Sequence, residues 1–234
     1  GFEWDEELKT TFLRGPLTSP ASPPTNTGDG LKMALTAGAG LGNMTSAWWI
    51  PTLSESGARW PDNGAPEKEA QRSVPVLIER TLPHSLMVNG QGKRFCNEAT
   101  NYSALAGAFH SFDPATYGYN NLPAYLIVDS QYRGRYPIAS VMPGDPSPDW
   151  IVAAPDLAGL ADAIGVDAAQ LEATVSRFNT HAENVNDPDF GRGVSAYDRF
   201  YGDRSRDGAA ATLGKVEVGP FFAVRIDLGA LGTN

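Results

Sequence analysis

A single cysteine, Cys96, and only three histidines in 234 residues leave little material for covalent or metallic staples. One thiol excludes a disulfide within the chain and leaves the redox compartment undetermined. With no histidine or second cysteine nearby in sequence, Cys96 is expected to be a buried, inert thiol in a strand. His84, His110 and His181 have no partner at i+2 to i+4, so no metal ligand set is expected, and a metal reading of Asp187 and Asp189 is set aside. Basic runs are also missing. Lys and Arg number 18 against 27 Asp and Glu, for a formal charge of −9. That balance argues against nucleic acid or anionic membrane as a partner. No apolar run approaches the ~20 residues of a transmembrane helix, and no signal-peptide pattern opens the chain. The chain starts at Gly1-Phe2-Glu3-Trp4 without a methionine, so the native N-terminus is expected elsewhere; the expected location is cytoplasmic. There is no Gly-x-Ser-x-Gly elbow, no Cys–His pairing and no phosphate loop. No Gly-x-Gly-x-x-Gly follows a first strand either, so a self-contained dinucleotide fold is not encoded.

What is present is a core-forming, loop-rich chain: 41% hydrophobic residues with 25 glycines and 18 prolines. Phe2, Trp4, Leu8 and Phe12 recur at near-helical spacing, and 15–24 reads as loop. A helix is expected over about 31–42, with Leu31, Ala34, Leu35 and Gly38 packed on something flat such as a sheet. Residues 54–73 read as polar, exposed loop. Val74 to Glu79 and Ser85 to Val88 are strand candidates, with Lys93 to Cys96 returning as a hairpin across Asn89-Gly90-Gln91-Gly92. Glu98 to His110 reads as a helix with Tyr102, Leu105, Ala106 and Phe109 on one side. Ala124 to Asp129 reads as a buried strand, and three prolines break 143–149. Helices follow near 156–164 and from an Asp167 N-cap, with Gln170 in capping-box position and Leu171, Val175 and Phe178 facing inward. The stretch 186–215 is polar, anchored by Tyr197, Phe200 and Tyr201; its alternating Asp and Arg suggest exposed ion pairs worth little each. Phe221 to Asp227 closes as a strand.

Two features carry candidate chemistry. Thr27-Gly28-Asp29-Gly30 before a helix offers free backbone N–H groups, and Asp29 either caps that helix or accepts hydrogen bonds from ligand hydroxyls. Tyr102 is a candidate base, which near neutral pH requires a positive or hydrogen-bonding neighbour in a desolvated site. The structural alternative is an amphipathic tyrosine with its ring in the core and its hydroxyl at the rim.

In order along the chain stand Gly-Phe-Glu, Asn-Thr-Gly-Asp-Gly, Ala-Trp-Trp-x-Pro-Thr, Gly-x-Arg-Phe-x-Asn-Glu, Phe-Gly-Arg-Gly-x-Ser-Ala-Tyr-Asp-Arg and a closing Gly219-Pro220-Phe221-Phe222-Ala223-Val224. Over essentially its whole length the sequence resembles the FAD-dependent 3-ketosteroid Δ1-dehydrogenases, within the wider flavoprotein superfamily of fumarate reductases and succinate dehydrogenases. The resemblance implies an α+β substrate or cap domain, a mixed sheet with packed helices, joined to incomplete pieces of an α/β FAD-binding domain. Residues 1–62 and 213–234 would belong to the FAD domain and 63–212 to the cap. It assigns Asp29 to FAD contact and Tyr102 to proton abstraction beside the 3-keto group of a ketosteroid, with hydride passing to FAD. It implies further tyrosines and the remainder of the FAD domain outside this chain, which alone would neither retain FAD nor turn over. Fumarate reductases look to carry a histidine where this chain has Ile50, another near Leu231-Gly232, and arginine where it has Asn101 and Tyr102. That favours an uncharged ketone over a dicarboxylate. Another cyclic ketone, a fumarate reductase-like activity and a non-catalytic ligand-binding domain remain the alternatives.

Overall fold

The computed structural model describes residues 1–59 and 71–233. Its frame is an antiparallel sheet in the order β2-β1-β8-β6-β3, with β7 also pairing β8. The strands are β1 (Ala47–Arg59), β2 (Gln71–Pro75), β3 (Ser85–Asn89), β6 (Ala124–Asp129), β7 (Ile151–Ala154) and β8 (Phe221–Thr233). A two-residue pair, β4 (Phe112–Asp113) with β5 (Gly118–Tyr119), stands apart. The helices are α1 (Glu6–Phe12), α2 (Asp29–Thr36), α3 (Ala106–Phe109), α4 (Ser130–Arg133), α5 (Leu157–Ile164), α6 (Ala168–Glu183) and α7 (Ala196–Phe200). This is an α+β layout. The expected mixed sheet is corrected: every strand pairing among the described residues is antiparallel. A parallel neighbour needs a crossover that returns the chain to its starting edge. Here α5 and α6 instead run in sequence between β7 and its antiparallel partner β8.

The sheet is buried on both faces, which explains the unbroken apolar run of β6. Leu126 and Val128 join one cluster with Met87, Val224, Ile226, Phe109 and Tyr132. Ile127 points the other way, with Leu86 and Val88, onto Leu160, Leu171, Val175 and Phe178 of α5 and α6. Both helices begin as expected. Asp156 accepts from the Gly159 N–H at 2.7 Å, and Asp167 from the Gln170 N–H at 2.7 Å. Gly165 closes α5 in the left-handed region at φ 72°.

Several local expectations fail, each for a traceable reason. Residues 54–59 continue β1 rather than forming loop, while 60–70 lie outside the described residues. The strand expected over Val74–Glu79 ends at Pro75. Beyond it the chain turns, so that Arg80 can bury its side chain. The expected 31–42 helix is α2, which stops at Thr36 and buries no residue, so it packs on no sheet among the described residues. Lys93 to Cys96 form no strand. Asn89 uses its side-chain oxygen to accept from the Gln91 and Lys93 N–H groups, tightening the turn, and β3 takes β6 as its partner. Cys96 is buried as expected, though in coil. The long helix over Glu98–His110 shrinks to α3, because Asn97 and Asn101 bind backbone N–H groups in turns instead. Phe200 does not anchor; it is 60% exposed.

The largest departure concerns charge. The Asp and Arg side chains expected on the surface over 187–199 are partly core: Asp187, Arg192 and Asp198 are buried. Glu98, fully buried, is gripped by Arg94 through two bonds of 2.8 Å, accepts from Arg192 at 3.2 Å and from the Met87 N–H of β3 at 3.1 Å. Arg94 also holds Asp187 at 3.1 and 2.9 Å, between the rings of Phe178 and Phe190. Arg192 reaches on to the carbonyls of Ser85 and Leu82, at 2.8 and 2.9 Å. Burial alone would raise the Glu98 carboxyl, but Arg94 and Arg192 outweigh it and hold it down at about 2. Burial pushes Arg80 down to about 10.

A network of this kind is costly to break, because removing one member strands its partners. Arg94→Met should lower stability by about 3–5 kcal/mol in chemical denaturation. Glu98 lies below its ordinary value, so its contribution is complete above about pH 4 and is lost as pH falls toward 2. Asp189, bonded by Arg177, and Asp203, where bonds from Tyr136 and Ser205 outweigh burial, also lie at about 2 and share that window. In the variant Glu98 loses its first cation and its carboxyl rises toward the unfolded value, so stability should fall less steeply between about pH 4 and 2 than in the wild type.

Candidate functional site

Tyr102 sits on a short segment whose backbone is pinned from below. Its carbonyl neighbours are fixed by Arg80, which donates Nη1 to the Glu98 carbonyl and, at 2.9 Å, to that of Thr100. Asn97 donates to Asp198 at 3.0 Å and accepts from the Ala99 N–H. Asp198 in turn binds the Gly193 N–H and the Ser195 hydroxyl, tying the segment to the 193–198 turn. Gly193 is required there: it lies at φ 87°, and a Cβ would stand 2.8 Å from that of Ala209. Asn101 accepts from Ser103 and Ala104, completing the turn around Tyr102. Leu105, Ala106 and Phe109 then face the core, with Phe95 edge-on to Phe109.

From this base the Tyr102 side chain rises half-buried, and its hydroxyl oxygen accepts a 2.8 Å bond from Nε1 of Trp48. Both readings made from sequence are compatible with this placement. The segment is core-anchored, yet the phenol oxygen lies at the surface against a donor. Tyr197 is a neighbour. Burial raises its phenol, while Arg80 and the Tyr102 backbone act the other way. Its hydroxyl is enclosed and, among the described residues, has no partner of hydrogen-bonding geometry. The adjacent Trp49 is buried, packed edge-on against His110 with centroids 4.8 Å apart. Burial lowers the His110 imidazole, and its Nε2 lies 3.2 Å from the Pro16 carbonyl, which requires that nitrogen to carry the proton. Trp48 was legible only as part of the Ala-Trp-Trp motif; nothing in the spacing paired it with a residue 54 positions later.

Asp29 is placed elsewhere. It is the first residue of α2 rather than its N-cap; Gly28 holds that position, in the left-handed region at φ 78°. Among the described residues no side chain caps this helix, which leaves its first-turn N–H groups open, and a Cβ at Gly30 would meet nothing within 4 Å. Asp29 is exposed and accepts from the Thr27 hydroxyl at 3.1 Å. An exposed carboxylate beside uncapped N–H groups suits a ligand with both hydroxyl and phosphate groups. No bond joins Asp29 to Tyr102. Around α2 lies apolar surface: Met33 is 68% exposed, and Leu35 and Leu41 are open.

Asp187 and Asp189 do come together with His181, their ligand atoms within 4.8 Å. The carboxylates are already satisfied, however. Arg94 takes Asp187, while Arg177 and His181 take Asp189. No helix of the described residues is long and apolar enough to cross a membrane.

The FAD binding domain family matches residues 6–234, nearly the entire chain. The chain belongs to this family. It is 42% identical over its whole length to a 4-oxocyclohexanecarboxylate 2-dehydrogenase of Sinomonas cyclohexanicum, covering 39% of that protein. It is 39% identical, again over its whole length, to a 3-oxosteroid 1-dehydrogenase of Mycolicibacterium smegmatis, covering 40% of it. The crystal structure of a 3-ketosteroid Δ1-dehydrogenase from Sterolibacterium denitrificans, in complex with 1,4-androstadiene-3,17-dione, superposes with a TM-score of 0.84 at 34% identity. That match covers all of this chain and 41% of the solved one. The resemblance drawn from the motifs is therefore borne out. The chain spans about two fifths of the length of the relatives it matches.

The one thiol can be checked directly. Burial raises Cys96 well above the ordinary thiol range. It should resist alkylation in the native protein and react at the normal rate once unfolded in urea, as followed by mass shift.

Proposed function

We propose that this chain forms the substrate-facing part of a FAD-dependent dehydrogenase that places a double bond beside a ring ketone. In this reading residues 63–212 are the cap over the substrate, while 1–62 and 213–234 belong with the FAD domain, whose remainder covers the apolar surface around α2. The carrying observation is the Tyr102 oxygen, held at the rim of the fold by a donor N–H, on a backbone locked by Arg80, Asn97 and Asn101.

The relatives' names share one chemical fragment. A 2,3-double bond in a 4-oxocyclohexane and a 1,2-double bond in a 3-oxosteroid both lie between the α and β carbons of a cyclohexanone ring. Tyr102 acts as its phenolate, its own proton first released to solvent, and takes the proton from the α carbon: the C–H bond breaks, an O–H bond forms, and the electron pair left behind becomes the new carbon–carbon double bond as hydride leaves the β carbon. FAD, when bound, supplies the acceptor for that hydride. Asp29 holds ligand hydroxyls at the start of α2, whose open N–H groups favour an anionic group beside them. Tyr102 contributes only if its oxygen is fixed within reach of the α carbon, which is what the pinned turn provides.

A 3-ketosteroid is the first substrate reading. A small cyclohexanone is the second, favoured by the 42% relative. Comparing kcat/KM for a 3-ketosteroid and 4-oxocyclohexanecarboxylate on the full-length flavoprotein separates them. With the better substrate, Tyr102→Phe should lower kcat by about 10²–10⁴-fold, and a near-wild-type rate would remove Tyr102 from the reaction. Asp29→Ala should weaken flavin retention, read as loss of bound-flavin absorbance per chain on gel filtration; unchanged retention would take Asp29 out of the cofactor site.

A further inference from the structure

The bond from Trp48 to Tyr102 is not accounted for by packing. Trp48 is 58% exposed, so its indole contributes little burial to the fold, in contrast to Trp49 beside it. Its polar atom is nonetheless spent on the Tyr102 oxygen at 2.8 Å. The strand is built to allow this. Ala47 pairs with Thr233 and Trp49 with Ala230, so two steps on β1 oppose three on β8. The extra residue lies on β8, opposite Trp48. Trp48 and Trp49 point to opposite sides, as successive residues of a strand do, yet both meet the same segment: Trp48 at Tyr102 and Trp49 at His110.

We infer that Trp48 is a positioning residue for Tyr102, an inference that rests on reading Tyr102 as the proton acceptor. An indole N–H donates and never accepts. The bond therefore has one polarity: the Tyr102 oxygen accepts, and its own proton must point away from Trp48. The same N–H remains a donor when the phenol oxygen carries negative charge, and a bond to a charged acceptor is the stronger one. Trp48 thereby fixes where the oxygen stands and supports the form that can receive a proton. It acts only through the Tyr102 oxygen that it bonds and transfers no proton of its own. The bond spans 54 residues, from β1 to the turn after Glu98, so the oxygen's position depends on how those two segments meet.

The test uses the full-length holoenzyme with whichever of the two ring ketones the wild type turns over faster. Trp48→Phe keeps an aromatic ring and removes the N–H. It should lower kcat by about 10- to 100-fold, leave KM within roughly threefold, and enlarge the isotope effect with deuterium on the α carbon. On a Tyr102→Phe background the same substitution should cost almost nothing further. A second variant guards against a folding defect. Replacing Trp48 by 3-benzothienylalanine keeps the bicyclic ring and exchanges N–H for sulfur, and it should reproduce the kcat loss with bound flavin intact. Trp48→His, which returns a ring N–H, should recover part of the rate. An unchanged kcat in the benzothienyl variant would overturn the inference, as would an equal loss with and without the Tyr102 hydroxyl. If Tyr102→Phe itself turns over normally, the reading of Tyr102 falls and this inference with it.

Discussion

The buried carboxylate of Glu98 is the point on which the arrangement depends. It accepts from Arg94 four residues before it, from Arg192 far along the chain, and from a backbone N–H of β3. A single acidic group thus joins the central sheet, the turn after β3 and the 187–198 loop. The ionised form survives without water because two guanidinium groups surround it, and Phe178 and Phe190 flank one of them. Such a site stabilises less than an apolar core of the same volume would. It does fix direction: three segments can meet here in only one way. Tyr102, four residues on, inherits that fixity through Arg80 and the asparagine turns.

The parts of the fold legible in the sequence are those whose signal is local. β6 announced itself by an apolar run, and α5 and α6 by capping aspartates and inward apolar positions, because cap and periodicity lie within a few residues of each other. The misreadings come from long-range competition. Lys93 to Cys96 has strand-like composition, but after the Asn89 N–H bonds the Lys93 carbonyl, the edge of β3 away from β6 is taken at Met87 by the Glu98 side chain instead of a strand backbone. Glu98 to His110 has helical spacing, but Asn97 and Asn101 divert the backbone N–H groups. The ionic loop looked solvated because its partners, Arg94 and Glu98, lie about ninety residues away and composition carries no distance.

The candidate site was legible to a different depth at each residue. Tyr102 was identified through motif order, not through any feature of its own neighbourhood. Asp29 was identified the same way, and the uncapped helix start that Thr27-Gly28-Asp29-Gly30 suggested is present, with Gly28 rather than Asp29 at the N-cap. Trp48 was in view as a motif letter without a role. What singles it out is its bond to Tyr102, 54 residues away, which is a three-dimensional fact.

β8 is a single thirteen-residue strand with two sets of neighbours. Its first half lies between β6 and β7, and its second half pairs with β1. The two halves share one uninterrupted backbone, so the β1–β2 side and the β6–β3 side of the sheet are joined through β8. The regions carrying Trp48 and Tyr102 therefore belong to one cooperative unit, and opening events that separate them should draw on the stability of the whole sheet rather than on a local hinge.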